Sequence, residues 1–165
     1  MKAEHINLFM YSVVETFKQM LGCEVKHGKP IPATYNDDIA SLIGLIGLSG
    51  TAKGIIAIKL PPETAMNIVG AFVGTKFTNV DSTVIDGVGE LVNIIAGSTK
   101  SKMIGQKISI SLPTVLKGSM QKLTTPEVTY MAIPFFSHLG NFEVYIGFSS
   151  IQQNKKEALH EGVNC

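Results

Sequence analysis

One pattern restricts the fold of this chain more than any other. A long amphipathic helix ends in an apolar–glycine pair, a proline-marked strand and a hairpin follow, and that whole order occurs twice. In the first half Ile6, Met10, Val13, Val14, Phe17 and Leu21 recur at helical spacing, which predicts a helix over residues 4–21 stopped by Gly22. In the second half a helix opens with Asp81 or Ser82 as N-cap and runs to about Met103, stopping at Gly105. "KHGKPIPATYN" reads as extended, and "IASLIGLIGLSG" and "GIIAIKLP" as a hairpin turning at "SGTAKG". Pro62 or Glu63 can then open a short helix. "KISISLPTVLKG", "EVTYMAIPFFS" and "FEVYIGFSS" predict three further strands, the last two joined at "HLGN". Gly22, Gly28 and Pro30 stand 83 positions before Gly105, Ser111 and Pro113, and "SLIGLIGLS" stands 88 before "TYMAIPFFS". The pattern fits an internal duplication, or an ordinary α+β domain whose two halves are merely alike. Both give the same α+β architecture: an antiparallel sheet with two long helices packed on it.

The 165 residues are enough for one domain with a core of its own, and residues 1–150 are assigned to it. Residues 151–165 form a polar tail without a core pattern. A formal charge of +1 gives no general reason to expect nucleic acid or an acidic membrane as partner. Charged residues make up 16% of the chain against about 25% in soluble domains. That shortage fits either a surface covered by another copy or partner, or simply a compact apolar domain. No charge-free stretch reaches the ~18 residues of a membrane helix, and the N-terminus lacks the apolar run of a secretory signal. A cytoplasmic protein with reduced thiols at Cys23 and Cys165 is expected. The four histidines are dispersed, with no metal-ligand spacing, and His138 reads as a solvated turn residue. No Walker-type loop is present.

The second long helix carries the chemistry. "DGVGELVNIIAGSTK" holds Gly87, Gly89 and Gly97, each costing a helix interior about 1 kcal/mol relative to alanine. At about 100° per residue, Ile85, Val88, Val92, Ile95, Thr99 and Met103 gather on a buried side. Asp86, Glu90, Asn93 and Gly97 line up in a band of roughly 60° on the other side. Gly89, Ala96 and Lys100 flank the ridge, so an acid and an amide one turn apart stand with little bulk beside them. They could be plain solvated residues. Alternatively, the missing side chains admit another molecule close to the backbone. An amide can hold a water in fixed orientation, and a carboxylate can pair with a lysine. Neither is a nucleophile here, and no histidine lies near in sequence to act as base. The ridge reads as half of a site whose other half arrives on a partner.

The run "DGVGELVNIIAGSTKSKM…ISISLPTV" resembles the motif D/S-x-x-x-E-x-x-N, followed some twenty residues later by proline, of the CheC–FliY–CheX family of bacterial chemotaxis phosphatases. Asp86, Glu90, Asn93 and Pro113 match it position by position. "GKP", "GLSG…KG" and "IPF…LGNFEV" extend the similarity over most of the chain. The pattern is of CheX type. The 83-residue offset places Asn7 opposite Glu90 and Met10 opposite Asn93, so only one helix carries the pair.

The resemblance implies dephosphorylation of the aspartyl phosphate of a CheY-type response regulator. Asn93 would orient the attacking water and Glu90 would pair with the regulator's lysine. Mg2+ would come from the regulator, and no intrinsic cofactor or metal is expected. Gly89, Gly97 and Lys100 would meet the partner; for Asp86, binding and helix-end electrostatics remain equal alternatives. CheX-like proteins pair through sheet edges, so a homodimer is expected. The competing reading is a non-enzymatic, CheC-like adaptor that binds the phosphorylated regulator or another chemotaxis protein.

Overall fold

The computed structural model describes residues 3–33, 40–119 and 128–150. In chain order its elements are α1 (Ala3–Leu21), β1 (Lys26–His27), β2 (Ile31–Pro32), β3 (Ser41–Gly50), β4 (Ala52–Leu60), α2 (Pro62–Val73), α3 (Ser82–Lys102), β5 (Ile108–Ile110), β6 (Thr114–Gly118), β7 (Met131–Ser137) and β8 (Gly140–Ser150). All pairings in the sheet are antiparallel, in the order β1-β7-β8-β4-β3-β5, with β2 also on β7 and β6 also on β3.

That order mirrors the repeat. The hairpins β3–β4 and β7–β8 meet at the centre through β4 and β8, and each half lends its short broken strand to the other half's hairpin. β1 and β2 cover β7, while β5 and β6 cover β3. The helices correspond as well: Phe9, Val13 and Thr16 of α1 and, 83 residues on, Val92, Ala96 and Thr99 of α3 are all buried. α2 follows the hairpin of the first half; the matching position after β8 lies outside the described residues.

Prolines place the breaks. "KISISLPTVLKG" forms two strands rather than the single strand expected, because Pro113 offers no N–H to the ladder. Between the two, Ser111 bonds Gly47 through its own N–H and accepts the Gly47 N–H on its hydroxyl, each at 2.9 Å. Pro134 lies inside β7, where its carbonyl faces Gly28 at 2.8 Å. Its missing N–H therefore lies on the side where β1 and β2 are interrupted, the position at which a sheet tolerates proline. The "KHGKPIPATYN" segment contributes only the two-residue pairings β1 and β2. Its residues from Thr34 onward lie outside the described residues, as does the tail from Ile151.

Helix ends follow the local chemistry. Gly22, at φ 58°, and Cys23 donate back to Lys18 and Phe17, which closes α1. Pro62 opens α2 and Gly74 caps it in the left-handed region. Asp81, not Ser82, is the N-cap of α3: its carboxylate accepts the Val84 N–H at 3.0 Å.

The main core lies between the helices and one sheet face, with Phe9 and Phe17 of α1, Val88, Val92 and Ile95 of α3, and Ile46, Ile56, Ile58 and Ile146 of the strands. Phe17 and Phe135 both stack on Phe142, at 4.9 and 5.3 Å between centroids. A smaller cluster of Ile43, Ala57, Ala132 and Tyr145 is buried on the other face. α3 rides low on β3 because Gly44 leaves it room: a methyl there would lie 3.1 Å from Val92 and 3.3 Å from Val88. This contact seats the helix that carries the acid–amide pair.

Candidate functional site

Seated on β3, α3 turns the expected ridge outward. Asp86 and Glu90 are exposed, and Asn93 and Gly97 are partly exposed one and two turns further along. Lys100 is exposed on the last turn. Beside the ridge a cleft of about 300 Å³ is lined by Ile85, Asp86, Gly89 and Glu90 of α3 and by Pro113 and Val115. Sequence and structure thus bring Asp86, Glu90 and Pro113 of the motif to one place, with Asn93 next along the ridge. Capping does not explain Asp86, since Asp81 does that work and Asp86 lies beyond the first turn, where the dipole's pull fades.

The three glycines have three different causes. A methyl on Gly87 would meet Val69 of α2 at 2.5 Å, so Gly87 lets the two helices touch. Gly89 is buried and floors the cleft, where a methyl would lie 3.5 Å from Val115 and 3.8 Å from Pro113. Helical phase places Gly89 on an open flank of the ridge, and its burial corrects that: any contact of Gly89 with a partner runs through the cleft. A methyl at 89 would be in ordinary contact with Val115 and Pro113, and larger side chains there would have to share the cleft. Ala96, also expected beside the ridge, is fully buried. At Gly97 alone a methyl would meet nothing within 4 Å, so that glycine owes nothing to internal packing.

Other groups with chemical potential are committed elsewhere. Lys102 pairs with Glu15 of α1 at 2.6 Å and donates to Ser98 at 2.7 Å. A second hollow, about 260 Å³ and largely apolar, lies over the opposite side of the sheet near Lys59, Phe136 and Glu143. Its one acid, Glu143, is taken by Lys59 at 3.6 Å and by the Tyr145 hydroxyl at 2.8 Å, as a structural carboxylate would be. Cys23 is buried and free, and its sulfur lies 3.6 Å from Nδ1 of the exposed His138. Burial pushes its thiol pKa up, which keeps it protonated and a poor nucleophile. Among the described residues no group of histidine, cysteine and acid residues is placed to hold a metal, and no helix is long and apolar enough to cross a membrane.

Glu90 and Asn93 thus stand one turn apart on the open side of α3, next to the cleft that Pro113 walls. The family model for the chemotaxis phosphatase CheX matches residues 42–136, and the chain belongs to that family. It is 32% identical over 126 residues to the CheY-P phosphatase CheX of Thermotoga maritima, a match covering 74% of this chain and 81% of that protein. The chemotaxis protein CheX of Vibrio vulnificus superposes with a TM-score of 0.79 at 27% identity, over 89% of this chain and all of that one. CheX in the CheX–CheY–BeF3–Mg2+ complex of Borrelia burgdorferi shares the fold at a TM-score of 0.76 and 22% identity, over 90% of this chain and all of that one.

Proposed function

We propose that this protein hydrolyses the aspartyl phosphate of a CheY-type response regulator. The observation that carries the reading is the pairing of exposed Glu90, on the wall of the Pro113 cleft, with partly exposed Asn93 one turn on, in a chain of the CheX family. The regulator contributes the phosphorylated aspartate, a lysine and Mg2+. Asn93 enters the phosphoryl site and holds a water in line with the bond to be broken, and Glu90 pairs with the regulator's lysine. The water oxygen bonds to phosphorus as the bond from phosphorus to the aspartyl oxygen breaks. The electron pair returns to the carboxylate, both of the water's protons leave with the inorganic phosphate or pass from it to solvent, and both side chains emerge unchanged. The rate gain is one of positioning, as when a glutamine orients water in a GTPase. Asp86, Gly97 and Lys100 belong to the docking surface, as does Gly89 through the floor of the cleft. The place of action is the cytoplasm and the working form a homodimer, which sedimentation velocity tests directly.

The test follows phosphate release from a phosphorylated, Mg2+-loaded CheY with the wild type and with Asn93→Ala. Acceleration by the wild type that Asn93→Ala loses while still binding supports the reading. Binding without acceleration by the wild type makes the protein an adaptor.

A further inference from the structure

Exposure of one apolar side chain is ordinary on a protein surface, and Ile104, 93% exposed on the turn after α3, is such a case. Leu112, 88% exposed, differs in where it stands and how it is held. It immediately precedes Pro113, which lines the cleft beside Glu90, and the cleft's other walls include the apolar Ile85 and Val115. Its backbone is braced. Ser111 donates its hydroxyl to the Leu112 carbonyl at 2.8 Å while that hydroxyl and its own N–H bond Gly47 of β3. A leucine fixed against a rigid sheet, with its side chain in water, loses little backbone freedom when a partner covers it.

We infer that Leu112 is an apolar anchor for the phosphorylated regulator, gripping the partner beside the site while Asn93 and Glu90 act within it. The inference rests on the proposed function and adds a division of labour. The surface around Glu90 and Asp86 is acidic and recognises the regulator's cationic site, whereas the Leu112 edge supplies affinity that does not depend on charge. Leu112 adjoins Pro113 in the chain, so a molecule that takes Asn93 and Glu90 on the ridge and reaches the Pro113 wall of the cleft comes up to the Leu112 edge. Ile104 is the control: it lies beyond the C-terminal end of α3, roughly 20 Å along the helix axis from Gly89.

The experiment titrates BeF3-activated, Mg2+-loaded CheY against wild type, Leu112→Ser, Leu112→Met and Ile104→Ser, with phosphate release measured in parallel. The substituted side chains are exposed, so none of the variants disturbs the core. Leu112→Ser is expected to weaken binding about tenfold, the ratio set by ~1.4 kcal/mol. It should raise KM likewise and keep kcat within about twofold; that last margin reflects a side chain outside the positioning chemistry. Leu112→Met restores binding, and Ile104→Ser behaves as wild type. Unchanged binding by Leu112→Ser overturns the inference. So does a loss of self-association in sedimentation with regulator binding intact, which would make Leu112 a contact between copies. If the wild type binds but does not accelerate hydrolysis, the phosphatase reading fails while Leu112 is still tested by the titration.

Discussion

α1 and α3 occupy related places on the same sheet, bury matching residues, and differ on the side that faces away. Where α3 presents Glu90 and Asn93, the offset puts Asn7 and Met10 on α1, and Met10 is buried. Where α3 has Gly97 over open space, α1 has the half-buried Val14. α1 is an ordinary amphipathic helix filled out by core packing. α3 gives up helix propensity at three positions, and only Gly87 recovers it directly by letting α2 approach. The contrast separates what the architecture demands of a helix in this position from what a site demands.

The largest effect expected from this contrast is catalytic. Asn93→Ala should lower turnover of the phosphorylated regulator by at least ~100-fold, the scale of a lost positioning contact. Asn7→Ala, on α1, should leave turnover unchanged. Equal losses from both would mean that both helices meet the partner and would break the asymmetry.

Next in size is one substitution made at two glycines. Gly87→Leu drives a side chain into Val69 and should cost ~1–3 kcal/mol of stability, the usual penalty of overpacking. At Gly97 a Cβ meets nothing within 4 Å, so Gly97→Leu should instead stabilise the helix by about 1 kcal/mol. Yet it should raise KM for the regulator about tenfold, because bulk now stands on the ridge; a tenfold change is ~1.4 kcal/mol of binding. Thermal melts and steady-state kinetics on the same preparations separate the two. A Gly97→Leu protein with normal KM would remove that glycine from the docking surface.

How much of this the sequence discloses depends on whether a feature is local. The helices, their glycine stops and both hairpins follow from spacing and turn residues, and the position of the acid–amide pair follows from helical phase. Phase alone misplaced Gly89 and Ala96, both of which are buried; what covers Gly89 is the Pro113–Val115 segment, more than 15 residues away in sequence and brought there by β3. The split into β5 and β6 was written in Pro113 but read as one strand, since proline at an edge is compatible with either. Neither cause left open for the low charge, a covered surface or a compact apolar domain, is local in sequence; the structure supports the second, since the sheet carries buried apolar residues on both faces, Ile43, Ala57, Ala132 and Tyr145 behind it as well as the main core in front. Leu112 carried no signal, because a lone leucine before proline looks like any other; only its exposure and its bracing on Gly47 distinguish it.

The smallest expected effect joins the two helices being compared. Lys102 of α3 reaches Glu15 of α1 at 2.6 Å, donates to Ser98 at 2.7 Å and lies 5.6 Å from the ring centre of Tyr11. Both charged side chains are about a quarter exposed, at 24% and 27%, so solvent screens the pair. A double-mutant cycle with Glu15→Gln and Lys102→Met should return a coupling of ~0.2–1 kcal/mol. The coupling should shrink as salt is raised, because screening shortens the reach of the charges. The tie fixes the C-terminal half of α3 against α1, downstream of Asn93, so it bears on the alignment of the ridge more than on the fold. A coupling that does not decline with salt would assign the contact to packing of the lysine stem on Tyr11. A coupling of zero at low salt would leave the apolar packing of α3 on the sheet, α1 and α2 to set the height and angle of the ridge.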